Sequence, residues 1–186
     1  MWSFLNAYFE YRKDPALAIR NLVEERRFGA AFLGYGVAAL CWVCFFWMGS
    51  ALGGWSFLWR FIFFWLLEIS IGYLWAALSG LLLNFLSDSN GPSALFISLG
   101  LSGFVQGLLL CFALVAATVP DLHAVVALVL VVTLILRFAF TALNTSRAVQ
   151  ISIKKSVGAM CFVLVPIVVS LILGFGTLIL LIRLIV

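Results

Sequence analysis

Long runs of apolar residues, separated by short polar segments, dominate the sequence after residue 28. Runs of this length can cross the hydrocarbon core of a bilayer as α-helices. The connectors between them carry turn residues or polar residues, as in Gly53-Gly54, SDSNGPS at 87–93, Pro120-Asp121 and NTSRAVQISIKKS at 144–156. The pattern predicts an all-α, polytopic membrane helix bundle in residues 29–186, with five transmembrane helices near 29–50, 61–86, 95–119, 122–143 and 156–181.

Residues 1–28 differ from the rest, because they carry five of the eleven basic residues and four of the seven acids. Asp14-Pro15 is typical of a helix start, with an N-cap acid followed by proline at the first helical position. An apolar face then follows, made of Ala18, Ile19, Leu22 and Val23. We expect an N-terminal amphipathic helix in the membrane interface, the alternative being an ordinary cytosolic lead-in helix. The residues expected to bind the membrane surface and its anionic headgroups are Trp2, Arg12, Lys13, Arg20, Arg26 and Arg27.

The basic residues also predict an orientation. If the N-terminus is cytoplasmic, that side holds eight of them and the far side holds Arg60 and Arg183. Positive charge concentrates on the cytoplasmic side of membrane proteins. Five spans then place the C-terminus outside.

Composition narrows the possible functions. The chain is 66% hydrophobic and 10% charged, which excludes a soluble domain with a polar surface. Its basic residues flank the membrane spans, so we expect no nucleic-acid partner. Cys41 and Cys44 form a CxxC, but the sequence contains no second CxxC and no nearby histidine. We therefore interpret them as small packing residues and expect no metal and no cofactor.

Glu68 stands alone as an acid in the run FFWLLEISIGYLWAALSG. Steps of four residues connect it to a stripe of small and polar residues, and Gly100, Gly103 and Gly107 make a similar seam in the third span. Such residues let membrane helices approach and bond to one another. The sequence leaves two roles open for this stripe, helix packing or a path for an ion, a proton or a substrate. Its members are Glu68, Gly72, Ala76, Gly80 and Asn84, and Gln106 of the third span joins them as a candidate.

The partner of Glu68 follows from estimated depths. Counted from the predicted span ends, Arg137 lies roughly 15 Å deeper than Glu68. We therefore expect no direct Glu68–Arg137 pair, and expect Arg137 to extend towards the headgroups. His123, Arg60 and Gln106 are the better placed partners. On the packing hypothesis, Glu68→Gln should be almost neutral.

An enzymatic role is not favoured. Gly100-Leu101-Ser102-Gly103 fits the GxSG motif of intramembrane serine proteases. The single histidine, His123, lies about 25 Å from Ser102 in estimated depth. A general base must lie within hydrogen-bond reach of its nucleophile. The sequence therefore predicts a protein that is not an enzyme.

The layout resembles the Yip1-domain family. The resemblance is carried by the lead DPALAIRNLVEERRFGAA, the glycine-rich third span LGLSGFVQGLLLCFALVA, and the last two spans with their basic connector and a central proline, Pro166. Eukaryotic members resemble adaptors for Rab GTPases, with a long cytosolic N-terminal region and a DLYGP-type motif before the first span. Here the lead has 28 residues and the nearest match is Asn90-Gly91-Pro92, between the second and third spans. The resemblance therefore implies a compact prokaryote-type member in a bacterial or archaeal plasma membrane.

Two hypotheses of function remain. The first is a non-enzymatic scaffold or accessory subunit that binds another membrane protein, binds a second copy of itself, or shapes the bilayer. The second is a small transporter or channel-like component that uses Glu68 and Gln106. The sequence shows no inverted repeat of the kind found in many secondary transporters, which favours the first.

Overall fold

The structure of the chain is a computed structural model that describes residues 13–25, 28–47, 54–86 and 91–163, together with residues 165 and 169. All secondary structure in these ranges is helical. The helices are α1 (Pro15–Glu24), α2 (Phe28–Phe46), α3 (Gly54–Leu86), α4 (Gly91–Thr118), α5 (His123–Val149) and the beginning of α6 at 153–163, with a 3₁₀ turn (Pro120–Leu122) between α4 and α5.

Four of these helices, α2 to α5, are long and apolar enough to cross a membrane. They correspond to the first four predicted spans, and they indicate an integral membrane protein. The fifth predicted span, 156–181, lies for the most part outside the described residues. So do four of the residues assigned to the membrane surface, namely Trp2, Arg12, Arg26 and Arg27.

Two helix boundaries differ from the prediction by six residues or more. Helix α3 begins at Gly54, seven residues before the predicted start, and α5 continues to Val149, six residues past its predicted end. The predicted polar connector at 144–156 is therefore present but much shorter than predicted. Its first polar side chains are buried in the bundle, and the turn is confined to residues 150–152, where Gln150 adopts a left-handed conformation with φ 56°. Polar residues here fill a helix contact, so their polarity did not mark a loop.

Helix α4 lies at the centre of the bundle and packs against α2, α3 and α5. Glycines permit its closest approach, which is to α2. A Cβ added to Gly100 would lie 2.6 Å from the Cα of Ala31, and a Cβ on Gly34 or Gly103 would overlap the backbone of the opposite helix. Backbones in membrane bundles come this close where the residues are small. The glycine-rich seam predicted for this span therefore lies at the contact with α2.

Helix α1 starts as the sequence predicts. The Asp14 carboxylate accepts hydrogen bonds from the backbone N–H groups of Ala16 and Leu17, at 3.0 and 3.1 Å. The apolar face of α1 is buried against α5 and α4. Arg20 on its other face is exposed and forms an ion pair of 2.6 Å with Glu24, and Lys13, just before the helix, is exposed as well. The apolar face thus contacts protein, because the ends of α4 and α5 offer it a neighbouring apolar surface.

Candidate functional site

Glu68 of α3 and Arg137 of α5 form an ion pair inside the bundle. Arg137 donates from Nη2 to Oε2 of Glu68 at 2.7 Å and from Nη1 to Oε1 at 3.1 Å. The two side chains are only 13% and 14% exposed. A bidentate pair of this kind fixes both distance and orientation. The expectations that no direct pair forms and that Arg137 extends to the headgroups are therefore wrong.

The helix boundaries explain why the two charges meet. Glu68 lies fourteen residues after the first residue of α3, and Arg137 lies fourteen residues after the first residue of α5. At about 1.5 Å per residue, both are about 21 Å along helices that run in the same direction. Along the same helices, Glu68 is about 12 Å from Arg60, and Arg137 is about 15 Å from Arg147. The pair therefore lies near the middle of the apolar region.

Hydrogen bonds extend the pair to the other two spans. Trp42 of α2 donates from Nε1 to Oε1 of Glu68 at 2.6 Å. Arg137 donates from Nη1 to Oε1 of Gln106 at 2.6 Å, and its Nε lies 3.4 Å from Oγ of Ser102, both on α4. We call Trp42, Glu68, Ser102, Gln106 and Arg137 the polar network. Each of the four spans α2 to α5 contributes to it, so the network connects them at one depth.

The other partners expected for Glu68 lie elsewhere. The guanidinium of Arg60 lies over the ring of Trp47, 4.2 Å from its centroid. His123 is exposed at the first turn of α5, about 21 Å along the helix from Arg137. Gln106 joins the site, but through Arg137. Arg60 and His123 are thus separated from Glu68 by several helical turns.

The structure places every member of the stripe on α3 at a contact with a neighbouring helix. Gly72 leaves room for the Tyr35 side chain, whose hydroxyl a Cβ would overlap. Ala76 is 2% exposed, and Gly80 packs against Pro92 of α4. Asn84 accepts a hydrogen bond from the backbone N–H of Gly91 at 2.8 Å. From Glu68 to Gly80 this face of α3 is therefore directed at protein, and Asn84 at its end is exposed but still bonded to α4.

A cavity of about 350 Å³ borders the ion pair between α3 and α5. Glu68 and Arg137 contribute to its wall, and the rest is mainly aromatic or aliphatic. Trp75 and Phe138 both line it and are stacked on each other, with ring centroids 6.2 Å apart. Further lining residues are Tyr35, Trp42, Leu134 and Thr141. The site thus combines an ion pair with an apolar space next to it.

The GxSG motif does not form a nucleophile site. Ser102 donates its hydroxyl proton to the Leu99 carbonyl at 2.6 Å, as a residue in a helix interior commonly does. His123 is far from Ser102, because it lies about 21 Å along α5 from Arg137, whose Nε is 3.4 Å from Oγ of Ser102. Cys41 is buried and donates to the Gln106 carbonyl at 3.1 Å. Within the part of the chain that the structure describes, no three His, Cys, Asp or Glu side chains could hold a metal together.

Sequence reasoning missed Arg137, Trp42 and Ser102 as members of the site. The sequence did contain a signal for the pair. Glu68 follows Gly54 by fourteen residues, and Arg137 follows His123 by fourteen residues. Finding it required the true starts of α3 and α5. Trp42 carried no such signal, since tryptophan in a span is most simply read as a lipid-facing or packing residue.

Chemically, the polar network is a neutral unit in a region of low dielectric. Removing two charges from water is unfavourable, and close pairing with additional hydrogen bonds offsets that penalty. The network meets both conditions, since both Glu68 oxygens accept hydrogen bonds and Arg137 contacts two further oxygens, Oε1 of Gln106 and Oγ of Ser102. It can hold four helices in register. The chain matches no family model, and neither a curated protein nor a solved structure matches it.

Proposed function

We propose that the chain is a non-enzymatic integral membrane scaffold or accessory subunit that binds another membrane protein, binds a second copy of itself, or shapes the bilayer. The polar network carries the proposal. It directs the strong polar groups of α2 to α5 into contacts within the bundle. A bundle held in this way presents a fixed apolar surface to its surroundings.

The distribution of burial supports this proposal. In an 18-residue apolar stretch of each span, 44% of the residues are buried in α4 and only 11% in α3. Helix α3 has 33 residues and is about 50 Å long, well above the roughly 30 Å of a hydrocarbon core. A long, outward-facing helix on a fixed bundle suits contact with another membrane protein or a local change in bilayer thickness.

The orientation and the family remain part of the proposal. The end of the bundle near α1 carries Arg147, Lys154 and Lys155 as well as the exposed charges of α1, which supports a cytoplasmic location for that end. Anionic headgroups would then contact this end. The Yip1-like layout implies a compact prokaryote-type member, in a plasma membrane of bacterial or archaeal type.

Photo-crosslinking in intact membranes tests the scaffold proposal. A photoreactive amino acid at Tyr73, which is 65% exposed, should crosslink α3 to a second protein or to another copy of the chain. The matched control is the same amino acid at Ala76, three residues further along the same helix and 2% exposed. We expect intermolecular products from position 73 alone. Crosslinks to lipid alone, at several exposed positions along α3, would contradict binding to a protein. Of the proposed roles, only bilayer shaping would then remain.

A second candidate function, a small transporter or channel-like component, is supported by the cavity beside Glu68. Proteoliposomes that contain the chain and an internal pH-sensitive dye test it under an imposed proton gradient. A proton flux that disappears when Glu68 and Arg137 are both made uncharged would favour this candidate. Flux equal to that of empty liposomes would remove proton transport from consideration.

A further inference from the structure

The cavity beside the ion pair has the composition of a ligand site. We propose that it binds a lipophilic monocarboxylate, and that Glu68 takes up one proton when the carboxylate of the ligand replaces it on Arg137. This inference goes beyond the scaffold proposal and does not depend on it.

The size and lining of the cavity define the ligand. A volume of about 350 Å³ holds on the order of ten non-hydrogen atoms, if each takes the roughly 30 Å³ of a water molecule in the liquid. The rings of Tyr35, Trp42, Trp75 and Phe138 offer apolar surface to a short hydrocarbon tail. One polar corner, formed by Glu68 and Arg137, remains for the head of the ligand. A short-chain fatty acid has this shape and this division of polarity.

The two charges respond differently to a ligand, and this difference selects an anion. Arginine keeps its proton in proteins, whereas a carboxylate can be neutralised by taking one up. A cation bound to Glu68 would leave the Arg137 charge buried without a partner, which is strongly unfavourable. An anion bound to Arg137 instead leaves the Glu68 carboxylate without a charged partner, and that carboxylate can be neutralised by a proton. The site therefore stays neutral only when an anion and a proton enter together.

The exchange is balanced in charge, and Arg137 makes as many hydrogen bonds after it as before. The two bonds from the Nη atoms of Arg137 to Glu68 break, and two equivalent bonds to the ligand carboxylate form. A new O–H bond forms on Glu68 with a proton that the buffered solvent supplies, and the buffer loses that proton. Trp42 can continue to donate to Oε1 of the protonated Glu68, so this oxygen keeps a partner. The net charge of the site is zero before and after the exchange.

The groups that face Glu68 are protonated or uncharged, so Glu68 is the proton acceptor of the site. From α5 the facing group is Arg137, and from α2 the titratable groups are Tyr35 and Cys41. Tyr35 donates its proton to the Phe96 carbonyl at 3.0 Å, and Cys41 donates to the Gln106 carbonyl. Helix α4 contributes uncharged side chains among the described residues, those of Ser102 and Gln106. A proton that enters with the ligand therefore has Glu68 as its acceptor.

Calorimetric titration of the purified full chain with octanoate tests the proposal. Titrations in buffers of different ionisation enthalpy should show one proton taken up per octanoate bound. The apparent Kd should weaken about tenfold for each unit of rising pH above the pKa of the free acid, the slope for one linked proton. Octanol, which has the same tail and no carboxylate, should bind weakly and without pH dependence. Octanol binding as tight as octanoate would overturn the proposal.

Glu68→Gln distinguishes this exchange from binding of the neutral acid. In that variant Arg137 is free of its carboxylate, so octanoate should bind without proton uptake and should raise thermal stability. If the cavity instead binds neutral octanoic acid, the Kd of the Glu68→Gln variant would still weaken tenfold per pH unit. That result would overturn the proposal. Glu68→Gln combined with Arg137→Met should lose octanoate binding.

Infrared spectra of the wild-type chain keep the proposal testable if the variants fold poorly. With octanoate labelled at its carboxyl carbon, the labelled group should absorb as a carboxylate and an unlabelled protonated carboxyl band should appear. A labelled protonated carboxyl band would show that the acid binds neutral, against the proposal.

Discussion

The Glu68–Arg137 pair makes a strong prediction about single and double substitutions. Glu68→Gln keeps the size of the side chain but leaves the Arg137 charge without its partner, in a position where that side chain is 13% exposed. Removing one member of a buried pair destabilises proteins by about 3–5 kcal/mol. We expect a loss of that size in the free energy of unfolding. The nearly neutral result expected from the sequence assumed that Glu68 forms no direct pair with Arg137.

Arg137→Met should be less damaging. The Glu68 carboxyl left behind can take up a proton, and what remains is the loss of hydrogen bonds to buried oxygens, about 1–3 kcal/mol. The double variant, Glu68→Gln with Arg137→Met, contains no buried charge. The glutamine side chain at position 68 can still accept a hydrogen bond from Trp42, so we expect a loss of about 0.6–2 kcal/mol, the range for interhelical hydrogen bonds in membranes.

These values give a coupling energy of at least about 2 kcal/mol, as found for residues in direct contact. The assay is reversible unfolding by a denaturing detergent in bicelles, for the wild type, the two single variants and the double variant. The double variant should be more stable than Glu68→Gln alone. Additive losses within about 0.5 kcal/mol would refute the reasoning, because they would show that the two charges do not interact.

Further predictions concern helix packing, capping and orientation. Gly100→Ala should lower the unfolding free energy by about 1–3 kcal/mol, because its Cβ would lie 2.6 Å from Ala31, whereas Gly158→Ala, with nothing within 4 Å, should be neutral or stabilising in the same assay. Asp14→Ala should increase hydrogen exchange in α1 by an amount equivalent to about 1 kcal/mol, while Asp14→Asn keeps the cap and should not. A cysteine at Ser152 should be labelled from the cytoplasmic side and one at Gly54 from the opposite side; the reverse pattern would contradict the proposed orientation.

The sequence by itself determined which segments form helices α1 to α5. Apolar runs of span length identify α2 to α5, because the hydrocarbon core fixes how many apolar residues a helix needs. The Asp14-Pro15 start of α1 followed equally from local chemistry, since a cap satisfies N–H groups of its own first turn. The small residues around Gly72 and Gly100 indicated which faces approach a neighbour, because such contacts depend on side-chain size.

Only the tertiary structure decided which polar groups meet. The Glu68–Arg137 pair depends on the relative depth of two helices, and an error of seven residues at one helix start displaces a side chain by about 10 Å. Likewise, the polar residues that follow Ala142 resemble a loop in sequence, yet α5 continues through them as a buried helix to Val149. Ser156, beyond the turn, donates to the Ala142 carbonyl at 3.0 Å. Burial and pairing depend on contacts between segments that are distant in the chain, so the residue pattern within one segment does not determine them.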